Sequence, residues 1–372
     1  MTDTPGGLMA AEIAEQPAML ARILGDTRAV AAVRDRVRAA RPRFVLIAAR
    51  GTSDHAALYA KYLVEVRLGL PAGLVSPSAY TVQGARPDLR DVLFVAVSQS
   101  GRSPDLVDSQ AVAHECGALT LAVTNAPESP LAQGAELSVD VAAGAERAVA
   151  ATKTYTAELL ALQLLLSGDD AERDAAALPE AAERTLELAS EDRLATAAEL
   201  CTAERLVVTG RGFSYPTARE AALKLMETSY VSAQAFSGAD LLHGPMAMID
   251  ASVPTIAVVS PGRDGEAMAP VLERLAALGA PVLRVGAGGP GDADGGRDPG
   301  GPGGAGGPGD PPGAPTSAPD GPTLPIAADG LPEHLLPVLE ILPLQRLALT
   351  LALRRGVDPD RPRGLSKVTQ TL

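Results

Sequence analysis

Tryptophan is absent from the 372-residue chain and aromatic residues make up only 3% of it, which removes the stacking platforms that single-stranded nucleic acid needs. Basic residues are also short. The 32 Lys and Arg against 45 Asp and Glu leave a net charge of −13, which argues against clustered neutralisation of duplex phosphates, so nucleic acid is not an expected partner. Cys116 and Cys201 are the only cysteines, too few for a disulfide framework or a thiolate zinc site. His55, His114 and His334 show no ligand spacing with Cys or carboxylates, and neither a metal nor another cofactor is expected. Apolar runs fall short of a bilayer span and no charged-then-apolar export signal opens the chain, so the expected location is cytoplasmic, without membrane attachment.

What is present is a globular composition, 46% hydrophobic and 21% charged, in a chain long enough for two domains of ordinary size. Residues 43–49, 91–97, 119–124 and 137–141 read as strands, and 53–66, 104–115 and 152–166 as helices. After an alanine-rich helical stretch the series repeats, with strands over 206–209, 254–259, 281–285 and 324–328 and helices over 217–229, 265–278 and 334–353. The strands are apolar with little alternation, as burial on both faces demands, so the fold class expected is α/β, with two doubly wound parallel-sheet domains in tandem. The boundaries expected are a helical segment 1–27, a first domain 28–168, a helical linker 169–204, a second domain 205–356 and a tail 357–372. Within the second domain, residues 286–323 turn to Gly, Pro, Ala and Asp; no core can form from them, and they are expected to be a disordered loop between two strands.

Residues 92–103 read Val-Leu-Phe-Val-Ala-Val-Ser-Gln-Ser-Gly-Arg-Ser, a strand that breaks into hydroxyls, an amide and a glycine just before a helix predicted to begin near Pro104. The first N–H groups of such a helix have no intrahelical partners and attract an anion. Ser98, Ser100 and Ser103 add hydroxyls, Gln99 an amide, and Gly101 a backbone without a Cβ. Arg50-Gly51-Thr52-Ser53 ends another strand, and the two turns meet if strands 43–49 and 91–97 are neighbours.

In the second half, Glu220, Lys224 and Glu227 share one helical face, a stripe that is commonly just solvated. His243 precedes a Gly-Pro turn, where a structural imidazole is the commoner finding. Lys367 follows Pro362 in a tail that cannot simply continue the preceding helix; terminal lysines are usually only exposed charge.

Together these residues resemble the sugar isomerase family with two SIS domains, over nearly the full length outside the Gly/Pro-rich insertion. Residues 9–17 (Met-Ala-Ala-Glu-Ile-Ala-Glu-Gln-Pro) are similar to the family's opening segment, Gly51-Thr52-Ser53 and Ser98-Gln99-Ser100-Gly101 to its sugar-phosphate turns, and Glu146 with Val-Ala-Ala-Thr-Lys over 149–153 to its third substrate loop. His243-Gly244-Pro245 and Lys367 complete the set. Within the family, the strand-end turns, the 149–153 loop and the tail are most similar to the second, SIS-type class of glucosamine-6-phosphate deaminases. The isomerase half of glutamine–fructose-6-phosphate aminotransferase is the other close relative. That enzyme has an amino-terminal glutaminase domain with a cysteine directly after the initiator methionine, whereas Thr2 stands here. Ala151 and Asp240 stand where the aminotransferases usually have serine and glutamate, which shifts weight toward the deaminase.

The resemblance implies two SIS, flavodoxin-like domains and a phosphosugar substrate without a cofactor. Thr52, Ser53, Ser98, Gln99, Ser100 and Ser103 would bind the 6-phosphate and neighbouring hydroxyls, with Glu146, Val149 and Ala151 from the third loop. His243 would open the pyranose ring, Glu227 would carry a proton between C1 and C2, and Lys367 would handle the open-chain sugar. The reaction implied converts glucosamine 6-phosphate to a ketimine that water hydrolyses to fructose 6-phosphate and ammonia. The alternatives are an aminotransferase-like isomerase working with a separate glutaminase chain, another phosphosugar isomerase, or a non-catalytic sugar-phosphate regulator, for which the chain lacks a helix-turn-helix. The family's histidine loop reaches the neighbouring subunit's site, so a homodimer with composite sites is implied.

Overall fold

The computed structural model describes residues 4–286 and 321–367, so nearly all of the Gly/Pro-rich insertion and the last five residues lie outside the described residues. Two five-stranded sheets carry the fold. In the first, β1 (Phe44–Ala48), β2 (Ala72–Leu74), β3 (Val92–Ser98), β4 (Leu119–Thr124) and β5 (Leu137–Asp140) lie in the order 2-1-3-4-5. In the second, β6 (Arg205–Gly210), β7 (Ser232–Ser237), β8 (Thr255–Val259), β9 (Val282–Gly286) and β10 (Thr323–Pro325) lie in the order 10-9-8-6-7, which read from its other end is the same topology. Every strand pair is parallel. The chain is therefore a repeat of one flavodoxin-like unit, as expected.

The order places β1 beside β3, with Ala48 opposite Ala96, so the turns after these strands open side by side at a point where the winding reverses. Beyond several helical turns of four or five residues, two strands and one long helix were not foreseen. β2 and β7 are edge strands, the first only three residues long, and the helix Arg28–Ala40 carries too many arginines to stand out as a core element. The 53–66 helix runs over Thr52–Leu63 and continues as a π-helical turn, Val64–Leu68, while the 265–278 helix is two pieces, Arg263–Glu266 and Ala269–Ala277. The alanine-rich stretch forms the helices Ala171–Ala175, Leu178–Leu188 and Glu191–Leu200.

Two helices lock the lobes together. Lys153–Leu166 and Leu336–Arg354 follow the last strand of each sheet, and the first is buried along its whole length. One continuous apolar cluster joins both lobes through residues such as Leu159, Leu160, Leu339 and Leu342, each burial contributing about 1.5–3 kcal/mol. The segment Glu333–Arg354 corrects the expectation that no apolar run is long enough to span a bilayer. It passes by length and composition, but 83% of its most apolar window is inside the protein, which reads as a core helix.

The two ends of the described chain meet. The helix Gly7–Ala14 has no side-chain cap of its own, and its first amides are met from the tail: Asp358 accepts from Gly6 N at 2.9 Å, and Asp360 from Leu8 N at 2.8 Å and Met9 N at 2.9 Å. Gln16, on the next helix, donates to Gln345 at 2.7 Å and accepts from Thr156 at 2.8 Å, pinning this segment between the two central helices. The tail is thereby fixed a few residues before Lys367.

Candidate active site

The carboxyl ends of β1 and β3 open into a cavity of about 370 Å³. Arg50 to Ser53 line it after β1, and Ser98, Gln99, Ser100 and Ser103 after β3. Val149, Ala151, Thr154, Tyr155 and Glu158 close it from the loop and helix after β5, and Lys367 enters from the tail. The residues expected from the serine turns, together with Val149, Ala151 and Lys367, are thus brought to one place. Among the described residues no group of three His, Cys, Asp or Glu side chains is arranged to hold a metal ion.

The cradle after β3 is built from the backbone outward. Ser98 Oγ accepts from Gly101 N at 3.2 Å and Ser100 Oγ from Arg102 N at 3.3 Å, which curls the turn. Ser103 stands at the N-terminus of the helix Pro104–Glu115 and makes no side-chain cap; Leu106 N and Val107 N donate to its carbonyl at 3.1 Å, and the positive end of the helix faces the turn. Arg50 Nε holds Asp105 at 2.7 Å in the first helical turn. Gly101 has φ +59°, and a Cβ there would lie 2.0 Å from Ser129 Oγ and 2.5 Å from Ser129 Cβ. Gly101→Ala is therefore expected to cost about 2–4 kcal/mol in urea unfolding and to weaken inorganic phosphate binding at least about tenfold by calorimetry.

Glu146 organises the opposite wall. It is buried, and its carboxylate accepts from Thr152 N at 2.9 Å, Thr154 N at 3.0 Å and Lys367 Nζ at 2.9 Å. Burial alone would push this carboxyl up, but the Lys367 charge and the two amides outweigh it and hold it below the usual range. Lys367 Nζ also donates to Ala148 O at 2.7 Å, which places its ammonium over the 146–149 loop. Glu12 supports that loop from beneath by accepting from Arg147 N and Ala148 N.

The Glu220, Lys224, Glu227 stripe is not a solvated face. Glu220 and Lys224 are fully buried where the helix Ser214–Ser229 meets the helix Thr52–Leu63. Lys224 Nζ donates to Glu227 at 2.5 Å and to Thr52 Oγ1 at 3.0 Å, and stands 3.3 Å from Glu220. Glu220 accepts from Thr52 at 3.1 Å and pairs with His55 Nδ1 at 2.7 Å. Burial would pull Lys224 down, but the two carboxylates more than offset this and keep it charged. Glu227 is 23% exposed and does not itself line the cavity; it reaches the cavity's Thr52 through Lys224.

His243 stands apart from the cavity wall of its own chain. It is exposed at the end of the short helix Gly238–Leu242, and its Nδ1 lies 2.8 Å from Ala239 O, which fixes Nδ1 as the donor and leaves Nε2 outward. Arg50, Thr154, Tyr155 and Glu158 line the cavity but were not among the expected site residues. Glu158 stands in a leucine-rich helix whose burial all round only the structure reveals, which is why the sequence did not single it out.

The comparisons agree with this architecture. A family model described as SIS domain matches residues 40–168 and 199–286. Glutamine–fructose-6-phosphate aminotransferase [isomerizing] of Methanothermobacter thermautotrophicus is 32% identical over 331 residues, covering 87% of this chain and 51% of that protein. The chain spans about half the length of the curated relatives it matches. Among solved structures, the C-terminal domain of glucosamine-fructose-6-phosphate aminotransferase from Francisella tularensis has TM-score 0.82 at 23% identity, covering 97% of this chain and 100% of that one. Glucosamine-6-phosphate deaminase from Thermotoga maritima has TM-score 0.72 at 21% identity, covering 98% and 100%. At these identities the two structures speak to the fold alone. With two parallel sheets of one topology and a family match over both, the chain belongs to the SIS domain family.

Proposed function

We propose that the chain is a phosphosugar isomerase that binds a hexose 6-phosphate and carries out aldose–ketose chemistry at C1 and C2, of the kind the isomerase half of glutamine–fructose-6-phosphate aminotransferase performs. The observation that carries this reading is the convergence in one cavity of an anion cradle, Ser98 to Ser103 with Ser53, and an ammonium, Lys367, on its far wall. The identity to the Methanothermobacter protein favours this over the glucosamine-6-phosphate deaminase reading taken from the sequence.

In this reading Thr52, Ser53, Ser98, Gln99, Ser100 and Ser103 hold the phosphate and adjacent hydroxyls, and Glu146, Val149 and Ala151 shape the opposite wall. Lys367 faces the open-chain carbonyl. An imine needs the neutral amine, and Glu146, 2.9 Å away, is the carboxylate in contact with it. Glu227, one salt bridge removed from the cavity's Thr52, takes the proton transfer between C1 and C2 on the strength of the family resemblance, with Lys224 balancing its charge. His243 serves a neighbouring copy: its exposure and its outward Nε2 suit a homodimer with composite sites, as do Met226 and Leu242, apolar side chains each 41% exposed on the same lobe.

The deaminase remains the second reading, because Lys367 Nζ is engaged by Glu146 and Ala148 O, and a substrate carrying its own nitrogen needs no imine to the enzyme. Purified protein is expected to convert fructose 6-phosphate to glucose 6-phosphate and, given a nitrogen donor, to glucosamine 6-phosphate. Ammonia release from glucosamine 6-phosphate without the first conversion selects the deaminase, and binding with no turnover of any of the three overturns both.

A further inference from the structure

Glu158 is a carboxyl group with little to answer it. It is 1% exposed, Ser53 Oγ lies 2.8 Å from its Oε1, and its Oε2 has no hydrogen-bond partner among the described residues. Other buried carboxyl groups nearby are better served: Glu146 by Lys367 and two amides, Glu220 by Lys224 and His55.

The tandem repeat supplies an internal comparison. The helices Lys153–Leu166 and Leu336–Arg354 occupy equivalent places, and each sends a glutamate to the serine at the head of the helix after its sheet's first strand: Glu158 to Ser53, and Glu340 to Ser214 at 2.6 Å. Glu340 also accepts from Thr217 at 2.8 Å and from Ser260 at 2.5 Å, just after β8, so in the C-terminal lobe the strand-end hydroxyls close around an internal carboxylate. In the N-terminal lobe Glu158 stops at Ser53, and the serines after β3 line an open cavity.

A hydroxyl has one hydrogen. If Glu158 is ionised, Ser53 must give that hydrogen to it and turns only lone pairs toward the cavity, which repel an anion. If Glu158 carries a proton, the direction reverses. We propose that Glu158 is a positioning residue of the anion cradle: as a neutral acid it donates to Ser53 Oγ, freeing the Ser53 hydrogen for the oxygen of a bound phosphate monoester. The surroundings favour the neutral form. Burial, which the Ser53 contact only partly offsets, pushes the Glu158 carboxyl up to about 8, and Glu146 from the loop and Glu220 from the facing helix push the same way. Tyr155 beside it is neutral, and the remaining charges on the cavity wall are Arg50 and Lys367.

The inference takes only its ligand from the phosphosugar reading, so two probes separate them. Binding of fructose 6-phosphate and of inorganic phosphate is measured by calorimetry from pH 7 to 9.5 in buffers of different ionisation enthalpy. Wild-type affinity should hold to about pH 8 and then fall about tenfold per pH unit with uptake of about one proton. Glu158→Leu, which has no donor, should lose tenfold or more at pH 7. Glu158→Gln, which donates at every pH, should restore binding to within about threefold and show no slope. Ser53→Ala, weaker at pH 7, should also lose the slope, and thermal melts verify that each variant folds. A slope that survives in Glu158→Gln or Ser53→Ala overturns the inference. If inorganic phosphate shows the linkage while fructose 6-phosphate does not bind, the phosphosugar reading falls and this one stands; if wild type binds neither, both fall.

Discussion

Lys224→Met is expected to destabilise the protein by about 3–5 kcal/mol at pH 7.5, read as a lower urea midpoint, because it strands carboxylates that the fold has taken out of water. The lysine side chain is 1% exposed and Glu220 is 0% exposed, so neither charge has water to fall back on. The methionine fills the same volume, which isolates the charge effect from a cavity effect. A further measurement identifies the cause. Adding Glu220→Gln to the methionine variant should recover part of the loss, since the pair is coupled. A variant as stable as wild type at pH 7.5 would mean the network around Thr52 holds nothing together.

Glu227→Gln is expected to lower turnover of fructose 6-phosphate by about 10²–10⁴-fold while leaving its binding within a few-fold, the pattern of a lost proton carrier. The amide keeps an oxygen for Lys224 Nζ, 2.5 Å away, and the site is 23% exposed, so the fold should tolerate the change far better than the loss of Lys224. Rates of aldose phosphate formation and calorimetric binding, measured on the same preparation, separate the two effects. Equal turnover in wild type and variant would remove Glu227 from the chemistry.

The parts of the fold that announced themselves in the sequence are those buried on both sides. β3, β4 and the helix Pro104–Glu115 follow from uninterrupted apolar runs and a proline at the first helical position, and the serine turn between β3 and that helix is a local pattern that no distant contact can disguise. The edge strands escaped for the opposite reason. β7, Ser-Ala-Gln-Ala-Phe-Ser, is mostly partly exposed or exposed and carries no apolar run, and β2 has three residues, so each is made a strand by its neighbour more than by its own composition.

The same division runs through the site. Hydroxyls clustered in one turn are legible; a salt-bridged core is not. Glu220 and Lys224 look like any exposed i, i+4 pair until Thr52 and His55 arrive from the other lobe to bury them. Glu158 and Glu340 sit in leucine-rich helices where helical spacing alone leaves one face for water, and only the packing of both lobes shows that no such face exists. His243 illustrates a further limit: its motif is plain, but its side chain does not line its own chain's cavity.

The captive carboxyl group of Glu340 bears on the stoichiometry of the proposed site. A chain assembled from two like halves has, in outline, two vacancies of the same shape, yet three hydroxyls in the C-terminal half are already saturated from within. That half is preorganised without any guest and can act as a rigid buttress. In the proposed reading, an external anion at the strand-end turns is then left to the N-terminal half, one per chain.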